Sequence, residues 1–291
     1  MISPEVIRKI KRIQITTSRV VTDLFAGQYE SVFKGRGMEF DEVREYTPGD
    51  DIRSIDWNVT ARMGHPYVKK FVEERQLTVM IILDASRSCS FGAVRQLKSE
   101  LAAELSGVLA FCTMQNKDRV GFMVFTDTVE KFIPPRKGMR HVLRVIREAL
   151  YFKPTGKKTD ITGALEYLNR VIKRRVVAFI ISDFYDGDFK KSLSIVNKRH
   201  DVIAVTITDP REREVPDAGI VDIIDAETGE QFLIDTSNPA LRQRYAEHTK
   251  RLHEERARLF QSIGVDYIDI RTDESYIKPL ISFFRMREQR L

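Results

Sequence analysis

Asp84, Ser86 and Ser88 stand at two-residue steps in LDASRSCSFG, directly after the apolar run LTVMIILD. Two further stretches carry hard oxygen donors in a comparable setting. Thr159 lies in TGKKTDITGAL, just before a run with helical spacing, and Asp183 lies in IISDFYDGD, at the end of a second apolar run. Two carboxylates and three hydroxyls suit Mg²⁺ better than a soft metal, because Mg²⁺ takes octahedral oxygen ligands, dehydrates reluctantly and keeps several waters. With only two protein charges, such a site leaves a coordination position open for an acidic group of a partner. The chemistry expected is adhesion through a metal bridge rather than turnover of a substrate. A D-x-S-x-S triplet alone has an ordinary alternative, since serines cap helices and aspartates end strands. The further donors at matching strand ends turn the expectation toward a metal site.

For these donors to meet, the runs that carry them must lie side by side. LTVMIILD (77–84) and VVAFIISD (176–183) read as strands buried on both faces, each ending in an acid. The first is followed by helical spacing over 93–115, through Val94, Leu97, Leu101, Leu105, Val108, Leu109 and Cys112. Strands are then expected at 120–125, 128–133 and 202–209, with helices near 138–150, 160–173 and 187–198. This alternation predicts an α/β fold built on a doubly wound, mostly parallel sheet. In such sheets ligands bind at the carboxyl ends of the strands, where Asp84 and Asp183 fall. GIVDIIDAETGEQFLIDT (219–236) breaks the rhythm and reads as an inserted β-hairpin around Glu227, Thr228 and Gly229. A long charged helix from Asn238 and Pro239 to about Ile263, a strand over 265–270 and a helix over 274–288 complete the chain.

Residues 77–291 are therefore expected to form the α/β domain, and residues 1–76 an N-terminal extension packed on it. Within the extension, 3–26 reads as a basic helix capped by Ser3 with Pro4 in its first turn. The stretch GRGMEFDEVREYTPGDDIRSIDW (35–57) carries seven acids against three arginines in a chain whose net charge is +6. That local charge argues against a phosphate cradle despite Gly35 and Gly37. Gly35, Gly37 and Gly49 are expected to permit turns, Arg44, Arg53 and Arg62 to form ion pairs, and Trp57 to be an apolar anchor of a brace, with a partner surface as the alternative.

Composition narrows the classes. Apolar residues at 42% and charged residues at 31% of 291 describe a globular protein. Two cysteines, Cys89 and Cys112, lack metal-ligand spacing and are expected as reduced thiols. MISPEVIRKIKRIQ lacks the apolar core of a signal peptide, and no apolar run approaches the roughly 18 residues that span a bilayer. The expected location is cytoplasmic.

Asp84-Ala85-Ser86-Arg87-Ser88, Thr159 and Asp183 resemble the metal-ion-dependent adhesion site of von Willebrand factor A domains. The run from GRGMEF through REYTPGDDIRSIDWNVTARMG, followed by VKKFVEER, is similar to the signature of the bacterial family called domain of unknown function 58, as are TDPREREVPDAG and DAETGE. The resemblance spans about residues 25–270. It implies a von Willebrand A (Rossmann-like) fold in which Ser86, Ser88 and Thr159 offer hydroxyl oxygens to Mg²⁺. Asp84 and Asp183 would bind directly or through waters. Phe184 and Tyr185, at the same rim, are candidate contact residues, with packing onto the domain as the alternative. It further implies a non-catalytic partner of MoxR-type AAA+ ATPases that grips an acidic residue of a client.

Two other functions compete. A Mg²⁺-dependent phosphohydrolase or nuclease could use Asp84 and Asp183, but Ser86 stands where a phosphatase of the haloacid-dehalogenase type has its second aspartate. No histidine lies in the three loops, the nearest in sequence being His141 on an expected helix. Asp160 and Asp186 read as a helix-start acid and a loop or cap residue. Nucleic-acid binding through the basic segments MISPEVIRKIKRIQ, PPRKGMRHVLRVIRE and KRLHEERARL lacks a docking motif, so no specific nucleic acid is expected.

Overall fold

The computed structural model describes residues 39–72, 77–92, 96–225 and 229–290. The helix expected over 3–26, together with Gly35, Gly37 and Val94, lies outside these residues. The described chain divides into two compact units, one ending at Leu77 and one beginning at Thr78.

In the first unit, β1 (Glu39–Glu45) pairs antiparallel with β2 (Tyr67–Val72), with a register shift between Phe40 and Glu42. Between them a 3₁₀ turn (Ile52–Ser54) leads into α1 (Trp57–Met63). The acids that follow β1 are turn and cap residues. Asp51 accepts from the Arg53 amide, and Asp56 caps α1 by accepting from the amides of Asn58 and Val59. Arg44 forks onto Asp50 through two bonds of 2.8 and 2.6 Å. That guanidinium and the Thr47 amide hold the Asp50 carboxyl well below the usual carboxylate range. Gly49, at φ +113°, makes the turn that brings them together. Trp57 is 67% exposed, the first residue of a short helix that buries none of its side chains.

The second unit holds a six-stranded sheet in the order β10-β7-β6-β3-β4-β5. Its strands are β3 (Thr78–Asp84), β4 (Arg119–Phe125), β5 (Val129–Arg136), β6 (Val177–Ser182), β7 (Asp201–Thr208) and β10 (Asp266–Arg271). All pairings are parallel except that of β5 with β4. β5 is an edge strand, the place where Pro134 and Pro135 can sit without depriving a neighbour of a ladder bond. Counted in chain order within the sheet, the strands run 6-5-4-1-2-3, the doubly wound arrangement, and the direction of winding reverses between β3 and β6. The α/β class and the mostly parallel sheet are as the sequence predicts.

The core lies on both faces of this sheet. Met80, Ile82, Met123, Ala178 and Ile180 face α4 (Ile161–Val171), α5 (Lys190–Arg199) and Phe260 of α7 (Pro239–Ser262). Alternate residues such as Ile81, Phe122 and Phe179 point to the opposite face and are also buried. There α2 (Lys98–Gln115) packs on β3 and β4 and against α3 (Met139–Tyr151). α2 is buried almost all round, and it begins at Lys98 rather than at the expected residue 93. A short α6 (Pro210–Arg213) follows β7, and α8 (Ile277–Glu288) follows β10. The expected hairpin is present as β8 (Ile220–Ile224) paired with β9 (Gln231–Asp235).

Candidate functional site

β3 and β6 are hydrogen-bonded neighbours, so their carboxyl ends bring Asp84 and Asp183 to the winding reversal. Both carboxylates are almost fully enclosed, at 2% and 1% exposure. Asp84 uses each oxygen separately. Oδ1 accepts from the Ser86 amide at 2.9 Å, and Oδ2 accepts from the Ser182 hydroxyl at 2.6 Å. The first bond folds the chain after β3 so that Ser86 starts the turn Arg87–Ser90 and its hydroxyl lies 3.0 Å from that of Ser88. Burial first, and the charge of Asp183 second, push the Asp84 carboxyl up to about 6 despite these hydrogen bonds.

The loop carrying Thr159 is drawn to the same place by backbone. The Arg87 amide donates to the Lys157 carbonyl at 3.2 Å, and the Asp160 amide donates to the Thr126 carbonyl just beyond β4 at 2.9 Å. Glu130 anchors the front of that loop by accepting from the amides of Thr155 and Gly156 and from the Thr155 hydroxyl. Burial pushes the Glu130 carboxyl up, but those amides and the hydroxyls of Thr126 and Thr155 outweigh it and bring it down to about 2. A Cβ on Gly156 would collide with the side chains of Asp127 and Thr126, so only glycine lets the loop pass this close. Asp160 caps α4, and Asp186 accepts from the Ile161 amide at 2.7 Å, which ties the Thr159 loop to the Asp183 loop. Both are the cap and loop acids that the sequence suggests.

Asp183 has a partner that sequence reasoning missed. Lys98, itself 1% exposed, donates from Nζ to Asp183 Oδ2 at 2.8 Å and to Glu212 Oε1 at 2.5 Å. Burial works against the charged form of Lys98, but the carboxylates of Asp183 and Glu212 outweigh it and raise the ammonium above the ordinary lysine value. Glu212 belongs to a capping box with Asp209, in which the Asp209 amide donates to Glu212 Oε2 at 2.9 Å. The D-P-x-E pattern of Asp209–Glu212 was a readable helix start; nothing local marked Lys98, which follows Leu97 as one more polar residue of an expected helix. Ser182, the donor to Asp84, was hidden inside an apolar strand.

The five expected donors thus lie on three mutually tied loops, with Asp84 bonded to the Ser86 amide and the Ser86 hydroxyl beside that of Ser88. Phe184 is a correction. It is 4% exposed, with its ring 5.2 Å from that of Phe260 and 5.6 Å from that of Phe189, so it belongs to the core and not to the rim. Its backbone sits at φ +56°, an uncommon value for an aromatic residue, held by the Phe184 amide donating to Ser182 Oγ and by that packing. The reversal turns Tyr185 outward to 41% exposure, beneath the guanidinium of Arg256 at 5.4 Å. Arg256, from α7, also donates to the Asp183 carbonyl.

A cavity of about 430 Å³ opens beside Asp84 and Ser86, bounded by Ser99 and Glu104 of α2 and by Leu150 and Phe152 at the end of α3. Cys89 lines it, but burial and the nearby charges of Asp84 and Asp183 push its thiol well above the usual range, so it is a poor nucleophile. Among the described residues, no group of three or more histidine, cysteine, aspartate or glutamate side chains gathers around a metal position. The donors available at this site are two carboxylates with hydroxyls. His141 is bonded to the Val120 carbonyl at the amino end of β4, the far end of the sheet from these loops.

The chain is 30% identical over 291 residues to the uncharacterized protein Rv1480 of Mycobacterium tuberculosis and to Mb1516 of Mycobacterium bovis, spanning 98% of this chain and 91% of each relative. Solved structures include BatB from Bacteroides thetaiotaomicron, at 18% identity and a TM-score of 0.47 over 73% of this chain and 99% of that one. The VWA domain of SpRpn10 gives 12% identity and a TM-score of 0.38 over 71% and 94%. These structural likenesses are loose, and the fold assignment rests on the strand order. The family model described as "Protein of unknown function DUF58" matches residues 42–256, and the chain belongs to that family.

Proposed function

We propose that this protein is a non-catalytic interaction module that holds Mg²⁺ among Asp84, Ser86, Ser88, Thr159 and Asp183 and uses it to grip an acidic residue of a protein partner. The observation that carries the reading is the placement of Asp84, Ser86 and Ser88. Ligands about 2.1 Å from Mg²⁺ and at right angles are about 3 Å apart. The 3.0 Å between the hydroxyls of Ser86 and Ser88 is that spacing. The enclosed carboxylate of Asp84, disfavoured as an anion by burial, gains from a cation beside it. Asp183 shares its charge with Lys98, so the protein alone supplies less than two full negative charges to the metal position. A bound divalent cation would thus keep an excess positive charge, which a partner carboxylate can satisfy.

The same residues argue against turnover. Ser86 occupies the place of a second carboxylate, the Cys89 thiol is held protonated, and His141 is at the other end of the sheet. On the family resemblance, the partner is a MoxR-type AAA+ ATPase or its client, and Tyr185 is the contact residue at the rim. The setting is the cytoplasm, where Cys89 and Cys112, both buried and unpaired, stay reduced.

Isothermal titration of the intact protein with MgCl₂ and MnCl₂ tests the metal, with Asp84→Ala and Ser86→Ala as controls. Saturable binding that both substitutions abolish supports the reading. Identical traces for all three proteins would sink it.

A further inference from the structure

Beside the donor residues in the chain stand three cations that the metal reading does not use. Arg87 stands between Ser86 and Ser88, and Lys157 and Lys158 immediately precede Thr159. Each hydroxyl-bearing loop therefore presents its cations beside its donors, and all three residues are exposed. The bond from the Arg87 amide to the Lys157 carbonyl holds the two loops side by side, so the backbones that carry these exposed cations adjoin. Lys98, by contrast, is buried and spent on Asp183 and Glu212. Exposed cations clustered at a site whose ligand is a carboxylate attract further acids beside the first, and such rim charges act on association rate and specificity.

We propose that the partner segment is an acidic run, several Asp or Glu residues in succession, of which one approaches the metal position while its neighbours pair with Arg87, Lys157 and Lys158. This rests on the carboxylate-binding reading of the site and narrows it from one acid to a stretch. A segment with a single acid would satisfy the metal and leave the three cations facing water. A segment with several acids satisfies both. The rim pairs are exposed and individually weak, so their effect is cumulative and falls as salt screens them.

Fluorescence anisotropy with the full-length protein tests the idea, using two labelled decapeptides as probes: one with a single Glu among Gly and Ser, one with four consecutive acids around that Glu. In MgCl₂ at low salt the acidic-run peptide is expected to bind about tenfold tighter, equivalent to about 1.4 kcal/mol. The variant carrying Arg87→Ala, Lys157→Ala and Lys158→Ala is expected to erase that preference while leaving the single-acid peptide unchanged. Unchanged preference in the variant overturns the proposal and leaves the metal reading standing. Loss of the preference in the variant, with EDTA having no effect on either peptide, upholds the basic rim and overturns the metal reading. Displacement of the acidic-run peptide by a single-stranded oligonucleotide of equal charge at equal concentration would also overturn the proposal, since the patch would then read charge density in a nucleic acid.

Discussion

At the scale of single residues, the site is a place where stability and binding oppose each other. Asp84 is ionised at neutral pH although burial has raised its carboxyl from 3.8 to about 6. A raised acid favours folding at low pH, and that contribution is lost as pH rises through about 6, leaving a cost at pH 7. Asp84→Asn is therefore expected to stabilise the metal-free protein at pH 7 by up to about 3 kcal/mol, and by almost nothing at pH 4. Urea unfolding in EDTA at the two pH values checks this, and equal effects at both would contradict it. Lys98 predicts the opposite sign. Lys98→Met leaves Asp183 and Glu212 without their shared cation, and breaking a buried pair from one side costs about 3 kcal/mol. A loss below about 1 kcal/mol in urea unfolding would mean that the pair is not held as described. Neither effect was visible in the sequence, because Lys98 and Asp183 are 85 residues apart.

At the scale of elements, the loop from Thr155 to Asp160 is the least self-sufficient part of the site. It has no regular structure and is held by Glu130 in front, by Arg87 and Thr126 on its backbone, and by Asp186 behind. Glu130 sits below its ordinary value, so its hold is complete above about 4.5 and is lost as pH falls toward 2. The Gly156 amide is expected to titrate by NMR with a midpoint near 2; a midpoint near 4.5 would show that Glu130 is free. Gly156→Ala forces the loop away from Thr126 and Asp127, and is expected to weaken divalent-cation binding about tenfold. Titration calorimetry reads that change, and wild-type affinity in this variant would mean that Thr159 contributes nothing. Phe184 shows why elements mislead at their ends. In sequence it follows Asp183 and shares the rim with Tyr185, but the left-handed turn at Phe184 sends the two rings to opposite sides.

At the scale of the whole molecule, stability is concentrated in the sheet of the second unit. Ile82 pairs with neighbours on both sides and is 1% exposed. Ile82→Ala is expected to cost about 2 to 5 kcal/mol, a large part of a typical margin over unfolding. The hairpin is the opposite case. Ile220 and Leu233 lie 74% and 78% exposed on β8 and β9, so Ile220→Lys with Leu233→Lys is expected to shift stability by less than about 0.5 kcal/mol. Thermal unfolding of the two variants side by side distinguishes the core from the appendage. A large loss in the hairpin variant would show that those apolar faces are covered in solution.

The sequence by itself determined the α/β class, the order of most elements and the candidate donors, because these depend on local signals. Buried strands read as continuous apolar runs, caps as Asp160 and Asn238, and the turn of the motif as D-x-S-x-S. It placed Phe184 at the rim, whereas burial of that ring depends on which neighbours arrive in space and not on its own apolar character. Only the tertiary structure decided that β3 and β6 adjoin, that Ser182 reaches Asp84, and that Lys98 neutralises part of the charge at Asp183. Those outcomes follow from strand order and helix docking, which bring residues about a hundred positions apart to within a hydrogen bond, and no local pattern of residue types encodes such distances.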